Sequence, residues 1–402
     1  MTGQPFAFVR RALLYLATIT VAVGVAGISP APAAAAVPPG FVGMNVGGPM
    51  VAPTSGVDVA QQFDLMVSSG VESIRVVFSW AQAQPYASWS QVPAAQAGQF
   101  VDAGGVPTSF VVTDQVVLTA AERGLRVLPT VIYAPSWDAR ARAHWLAVPQ
   151  SPGPYAAYLT ALIGRYGPRG SFWEEHPELP DQPIRAWQIW NEPDLTHYWP
   201  QPFARSYVDL LSASQTAIKR ADPHAQVVLG ALTNTAWTEI RQIAKVPGAR
   251  GLFDVVAVNG YTSTPRNVIL LLTLVRQAMN GLGERRTKLL ATEVSFPSAL
   301  GKSPQHFDWN TTEAGQARDV AQLLPLLAAQ RTRLNLIGFD YYTWMGDEYW
   351  GAPAFNFAGL LRWQNDGTVS PKPALSAFTR AALALEGCGR IGPLAGSCAA
   401  DS

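Results

Sequence analysis

The run Ile184-Arg185-Ala186-Trp187-Gln188-Ile189-Trp190-Asn191-Glu192-Pro193 changes character along its length. It begins apolar, β-branched and aromatic, the composition of a buried strand, and it finishes on an amide, a carboxylate and a proline. Such a strand delivers polar side chains at its tip, and the proline, which has no N–H, ends the ladder. About a hundred residues on, Lys288-Leu289-Leu290-Ala291-Thr292-Glu293-Val294-Ser295-Phe296-Pro297 has the same form: an apolar strand, a carboxylate near its end, then proline. Glu192 and Glu293 are therefore expected to face one another across a single cleft.

Working outward, short apolar runs alternate with helical patterns from Phe41 onward, the rhythm of βα units. Strands are expected over 41–46, 73–80, 126–133, the segment ending at Glu192, 226–232, 253–261, 288–294 and 335–343. Helices are expected over 57–69, 113–123, 155–166, 204–220, 237–245, 268–279, 313–330 and 372–385. Eight strands, each followed by a helix, predict an α/β fold, a single (β/α)8 TIM barrel. Glu192 then ends the fourth strand and Glu293 the seventh. The long loops 81–112, 134–153, 295–311 and 344–371 all follow strands, which puts them on the carboxyl face, where active sites of this fold sit. The turn-rich segment 167–183 precedes a strand, so its Glu174-Glu175-His176 cluster is expected on the opposite face as solvated surface.

Of the 402 residues, 48% are apolar and 14% charged, enough for a large core. The 29 basic and 28 acidic residues leave a net charge of +1 with no dense basic stripe, which argues against nucleic-acid binding and electrostatic membrane attachment. The five histidines lie on separate elements without metal-ligand spacing. Neither a phosphate-cradling glycine loop nor a nucleophile-elbow serine occurs, so no metal and no cofactor is implied. At the amino terminus, Arg10 and Arg11 precede an apolar stretch and then Ala31-Pro32-Ala33-Ala34-Ala35-Ala36. This reads as a secretory signal peptide over 1–36, with the barrel over 37–386 and a tail over 387–402. The expected location is secreted or on the cell-envelope exterior, with no membrane attachment after signal removal. Cys388 and Cys398 are the only cysteines, and in an exported protein they are expected to form a disulfide. A monomer is expected.

An acid on the fourth strand directly after an asparagine, with a second glutamate on the seventh, resembles clan A of the retaining glycoside hydrolases over about residues 41–386. The stretch holding Asn191-Glu192-Pro193-Asp194 and Lys219-Arg220-Ala221-Asp222-Pro223 is most similar to glycoside hydrolase family 39 and its bacterial exopolysaccharide-cleaving relatives, with family 5 cellulase-like enzymes next. The resemblance implies a carbohydrate substrate, Glu192 as acid/base and Glu293 as nucleophile of a double displacement. It also implies that Asn191 bonds the hydroxyl beside the anomeric carbon and that Tyr261 orients Glu293. Arg75 would favour the ionised nucleophile, and Trp344 would be the platform beneath the reactive sugar. Many relatives carry a histidine two residues before the tyrosine; here Asn259 stands there and can donate a hydrogen bond but cannot titrate. Asn45, at the tip of the first strand, and Trp137, in the loop after the third, complete the substrate-binding candidates. Trp80, Trp199 and Trp350 also fall in strand-end loops, while Asp138 and Asp340 could meet sugar hydroxyls or local backbone donors. Two rival readings use the same cleft: a noncatalytic carbohydrate-binding barrel, and a transglycosidase working through the same pair. Sugar identity stays open among glucan, mannan, xylan, galactan, arabinan and a cell-wall or exopolysaccharide polymer.

Overall fold

The computed structural model describes residues 37–399 except 53–54, 141–145 and 365. The expected signal peptide lies outside the described residues. Eight parallel strands are β1 (Val42–Val46), β2 (Ser73–Ser79), β3 (Arg126–Ile132), β4 (Ala186–Asn191), β5 (Gln226–Leu232), β6 (Val255–Asn259), β7 (Lys288–Val294) and β8 (Leu336–Tyr341). Each pairs with the next and β8 pairs with β1, closing the barrel. Helices α1 (Val59–Ser68), α2 (Val111–Ala121), α3 (Pro152–Tyr166), α4 (Ala204–Ala221), α5 (Ala236–Ala244), α6 (Pro265–Gly281), α7 (Glu313–Leu334) and α8 (Pro373–Glu386) follow the strands in turn. The expected TIM barrel is thus the observed fold, and β5 and β7 keep their expected bounds.

The reason lies in burial on both faces. Barrel strands are covered outside by helices and inside by one another, so they read as continuous apolar runs such as Val255-Val256-Ala257-Val258. Helix ends carry local signals. The Asp58 side chain accepts from Gln61 N at 3.0 Å to start α1, and Thr312 Oγ1 accepts from Gly315 N at 3.1 Å to start α7. The last helix before β8 runs four residues beyond the expected 330, because Asn335, at φ 51°, supplies the left-handed stop. Inside the barrel, Leu128, Val228, Ala231, Val255 and Ala257 form a small apolar plug.

Two carboxyl-face loops hold more structure than their sequence announces. After β2, Trp80 opens a helical turn (Trp80–Ala83) rather than extending the strand, since the Ser79 hydroxyl caps it by accepting from Gln82 N at 3.2 Å. The same loop contains a ribbon of Val101–Ala103 with Val106–Thr108. After β8, Met345–Asp347, Leu361–Trp363 and Val369–Pro371 form a three-stranded sheet. Strands of three residues are too short to show periodicity.

Cys388 and Cys398 are joined in a disulfide with Cα atoms 5.3 Å apart. In the 167–183 segment, Glu175 pairs with Arg165 of α3 at 2.5 Å, a structural use of the acidic cluster. Among the described residues no helix is long and apolar enough to cross a membrane.

Candidate active site

Arg75 on β2 organises the polar layer. Its guanidinium Nε donates to Gln188 Oε1 at 2.8 Å, Nη1 to Asn45 Oδ1 and Glu293 Oε1 at 2.7 Å each, and Nη2 to Asn191 Oδ1 at 2.7 Å. One buried cation thus ties together β1, β2, β4 and β7. Charge-assisted bonds of this length are the strong kind, and burial removes competing water. Asn45 is held in turn, its Nδ2 donating to Thr292 O at 2.8 Å. Gln188 was not evident as a site residue, yet a buried amide between Trp187 and Ile189 in an apolar strand is itself a signal, because such a group needs a partner.

The second Glu293 oxygen accepts from the Tyr261 hydroxyl at 2.5 Å. Burial and the neighbouring Glu293 push that hydroxyl well above the ordinary tyrosine range, so it remains a donor. Asn234 clamps the tyrosine backbone, accepting from Tyr261 N at 2.9 Å and donating to Tyr261 O at 2.6 Å. Nothing in the local sequence marks Asn234 for this task.

Glu192 has a different environment. Its Oε1 accepts from Asn259 Nδ2 at 2.7 Å, and Asn259 Oδ1 accepts from Thr292 Oγ1 at 2.9 Å, which turns the amide so that its NH2 faces the carboxyl. Burial first, then the nearby Glu293, push Glu192 up to about 8, against the partial lowering by Asn259. The cleft therefore sets one carboxyl against a guanidinium and a phenol, and pushes the other toward its protonated form.

The strand tip that carries Glu192 is strained. Trp190 (φ 67°) and Glu192 (φ 45°), on either side of Asn191, both hold left-handed backbone, which typically costs about 1–3 kcal/mol for a non-glycine residue. Packing holds the tip in place: the Trp190 indole is fully buried, donates to Tyr198 O at 3.0 Å and meets Trp199 edge-on at 5.4 Å. Behind it, Tyr207 of α4 donates to Ile189 O at 2.8 Å, and Gly230 N donates to the Tyr207 oxygen at 2.6 Å. A Cβ at Gly230 would lie 2.6 Å from Ile189 O, so this close approach requires glycine.

Asn45, Arg75, Asn191, Glu192, Tyr261 and Glu293 all line one cleft of about 510 Å³. Asn259 is fully buried behind Glu192 and touches the site through it. Trp344 departs from the expectation. It is fully buried, its Nε1 donates to Gln62 Oε1 of α1 at 3.0 Å, and it is not part of the cleft wall. Its backbone N donates to Asn45 O at 3.2 Å, which ties the chain to the carboxyl end of β1, and the indole packs in the core. The aromatic rings offered to the cleft beside Tyr261 are instead Tyr133, Tyr198, Tyr342 and Phe355.

Trp137 is also absent from the cleft wall: it donates to Gln84 O at 2.7 Å and packs edge-on against Trp80. Trp80 and Trp199 are buried, and Trp350 is exposed outside the cleft. Asp138 is buried away from the cleft wall, and its backbone O accepts from Gln150 N at 2.7 Å. Asp340 is buried below the cleft, where burial pushes it up to about 7. Substituting Trp344 by Phe is expected to lower unfolding free energy by about 1–3 kcal/mol while leaving KM for any glycan unchanged. Urea denaturation beside steady-state kinetics checks this, and a large KM rise at unchanged stability would return Trp344 to the cleft.

Fold and site together define a (β/α)8 barrel with paired glutamates on its carboxyl face. Solved structures similar to it include a family 39 glycoside hydrolase from Bacteroides cellulosilyticus WH2, at 18% identity and TM-score 0.61 over 86% of this chain and 63% of that one. A monomeric beta-xylosidase from Caulobacter crescentus CB15 matches at 17% identity and TM-score 0.57, covering 86% of this chain and 69% of that one. The GH53 catalytic domain of Ignisphaera aggregans matches at 18% identity and TM-score 0.53, covering 86% and 98%. The chain therefore spans under two thirds of the length of the Bacteroides enzyme. No protein-family model matches the sequence, and no curated protein is similar to it in sequence. At these identities the likeness establishes the fold alone, a (β/α)8 barrel shared with these glycoside hydrolases.

Proposed function

We propose that the protein is an exported retaining glycoside hydrolase acting on a poly- or oligosaccharide. The observation that carries this reading is the unequal treatment of two carboxyl groups in one cleft. Glu293 is set against Arg75 and the Tyr261 hydroxyl, while Glu192 is desolvated and held by a neutral amide. Divergent environments around paired acids are how one site runs acid and nucleophile chemistry together. The likeness of the fold to family 39 and family 53 enzymes supports the same reading. Export rests on the amino-terminal segment and on the tail disulfide, which suits an oxidising compartment.

In this mechanism Glu293 attacks the anomeric carbon as Glu192 protonates the glycosidic oxygen, and the bond to the leaving sugar breaks. Glu192, now a carboxylate, takes a proton from water, which displaces Glu293 from the glycosyl ester and regenerates both groups. Asn191, fixed by Arg75, faces the cleft where it can bond a sugar hydroxyl near the reacting carbon.

Product analysis on a panel of polysaccharides tests the activity, with proton NMR of the first product reporting whether anomeric configuration is kept. Glycan binding without any product would favour the noncatalytic barrel instead. The pH profile carries a sign. Glu192 must enter the cycle protonated, so kcat/KM is expected to fall as pH rises through about 8. Glu192→Gln is expected to lose roughly 10²–10⁴-fold in rate and to lose that alkaline limb. An unchanged alkaline limb in Glu192→Gln would assign the acid elsewhere.

A further inference from the structure

The sheet after β8 places a carboxylate in the cleft that the mechanism does not use. Met345 and Asp347, two residues apart on one extended strand, share a face, and both line the cleft. Glu348, next along, points the other way. It accepts from Lys372 Nζ at 2.7 Å and from Arg362 Nε at 3.0 Å, while Arg362 also reaches Glu313. Both cations beside this strand are thus taken on the side away from the cleft.

Asp347 is left without a counter-charge. Its Oδ1 is buried and has no hydrogen-bond partner, although its backbone O accepts from Asn356 Nδ2 at 2.8 Å. A buried acceptor of this kind costs about 1–3 kcal/mol when unsatisfied, so its position in a ligand cleft calls for a donor from the ligand. Asn356 and Phe355 line the cleft beside it, and Phe355 is set edge-on against Tyr261 at 4.8 Å, next to the reacting carboxyls.

The ionisable acids and bases of Asp, Glu, Lys, Arg and His type among the described cleft lining are Arg75, Glu192, Glu293 and Asp347. All three nitrogens of Arg75 are already engaged by Glu293, Asn45, Asn191 and Gln188. No cation in that lining is left to meet an acidic sugar, whereas an acceptor is left to meet hydroxyls.

We propose that Asp347 is a specificity-determining residue that accepts hydrogen bonds from the hydroxyls of an uncharged sugar unit and excludes uronic acids. This rests on the glycosidase reading above and narrows its substrate class. A sugar carboxylate placed beside Asp347 would meet like charge in a partly desolvated wall, while a hydroxyl supplies the missing donor. Burial also raises Asp347 somewhat, which is consistent with an unpaired acid.

The test compares wild type, Asp347→Asn and Asp347→Ala on neutral polymers (xylan, β-glucan, mannan, galactan) and acidic ones (polygalacturonate, alginate), with thermal melts alongside. Wild type is expected to cleave at least one neutral polymer and neither acidic one. Asp347→Ala is expected to lose at least tenfold in kcat/KM, mainly through KM, at a melting temperature close to wild type, with Asp347→Asn in between. Unchanged kcat/KM in Asp347→Ala, or wild-type preference for an acidic polymer, overturns the proposal while leaving the glycosidase reading intact. A wild type that cleaves nothing in either set removes that reading and the proposal with it.

Discussion

Glu293→Gln is expected to reduce turnover by on the order of 10⁴-fold or more, the scale seen when a nucleophile is deleted from a site whose parts act as a unit. Glutamine keeps the shape of the side chain and can still accept from Arg75, whose Nη1 lies 2.7 Å from Glu293 Oε1 in the native site. The Tyr261 hydroxyl, which donates to Glu293 Oε2, would lose its carboxylate acceptor. Cleft shape and glycan binding should therefore survive while the attacking oxyanion is gone, so KM should move far less than kcat. Incubation of the wild type with a 2-deoxy-2-fluoro glycoside of a sugar it cleaves should trap the ester, and mass spectrometry should find the label on the peptide containing Glu293. Label on any other residue, or full activity in Glu293→Gln, would sink the assignment.

Arg75→Met is expected to damage stability as well as activity. The guanidinium is a buried partner of four acceptors on β1, β4 and β7, and the ion pair with Glu293 is barely exposed on either side (6% and 11%). Removing one member of a buried pair leaves the other charge uncompensated, which costs about 3–5 kcal/mol. Arg75→Lys should rescue little, because one ammonium cannot span acceptors that the planar guanidinium meets through three nitrogens. The double variant Arg75→Met with Glu293→Gln should recover part of the lost stability, since the orphaned charge is gone as well. Denaturant unfolding of the two single variants and the double variant measures this coupling. Additive losses would mean that Arg75 supports the barrel without supporting Glu293.

Much of this organisation is legible in the chain because it is local. Apolar runs of strand length, separated by helical patterns, count to eight, and the two glutamates stand out as carboxylates at the ends of otherwise apolar segments. Gln188 could have been found by the same reasoning, as a polar group inside an apolar run. Trp344 could not have been placed that way. Tyr342 and Trp344 are two residues apart past the end of β8, and only the bonds of Trp344 to Asn45 and Gln62 send its indole into the core while Tyr342 takes the cleft. Asn234 and Asp347 were invisible for a related reason: their roles depend on partners, or on the lack of one, across the fold.

The sequence by itself determined the barrel, the strand that each glutamate ends, and the face on which both lie, since hydrophobic period and strand-end chemistry act within a few residues. The tertiary structure alone decided that Glu192 is the carboxyl pushed upward by burial, that Arg75 joins four strands at one point, and which aromatic rings and which spare carboxylate the cleft presents. Those properties arise from burial and from contacts between residues far apart in the chain, such as Arg75 with Glu293, 218 positions apart, and Trp344 with Gln62, 282 apart, and a desolvated group has no local signature before the chain closes around it.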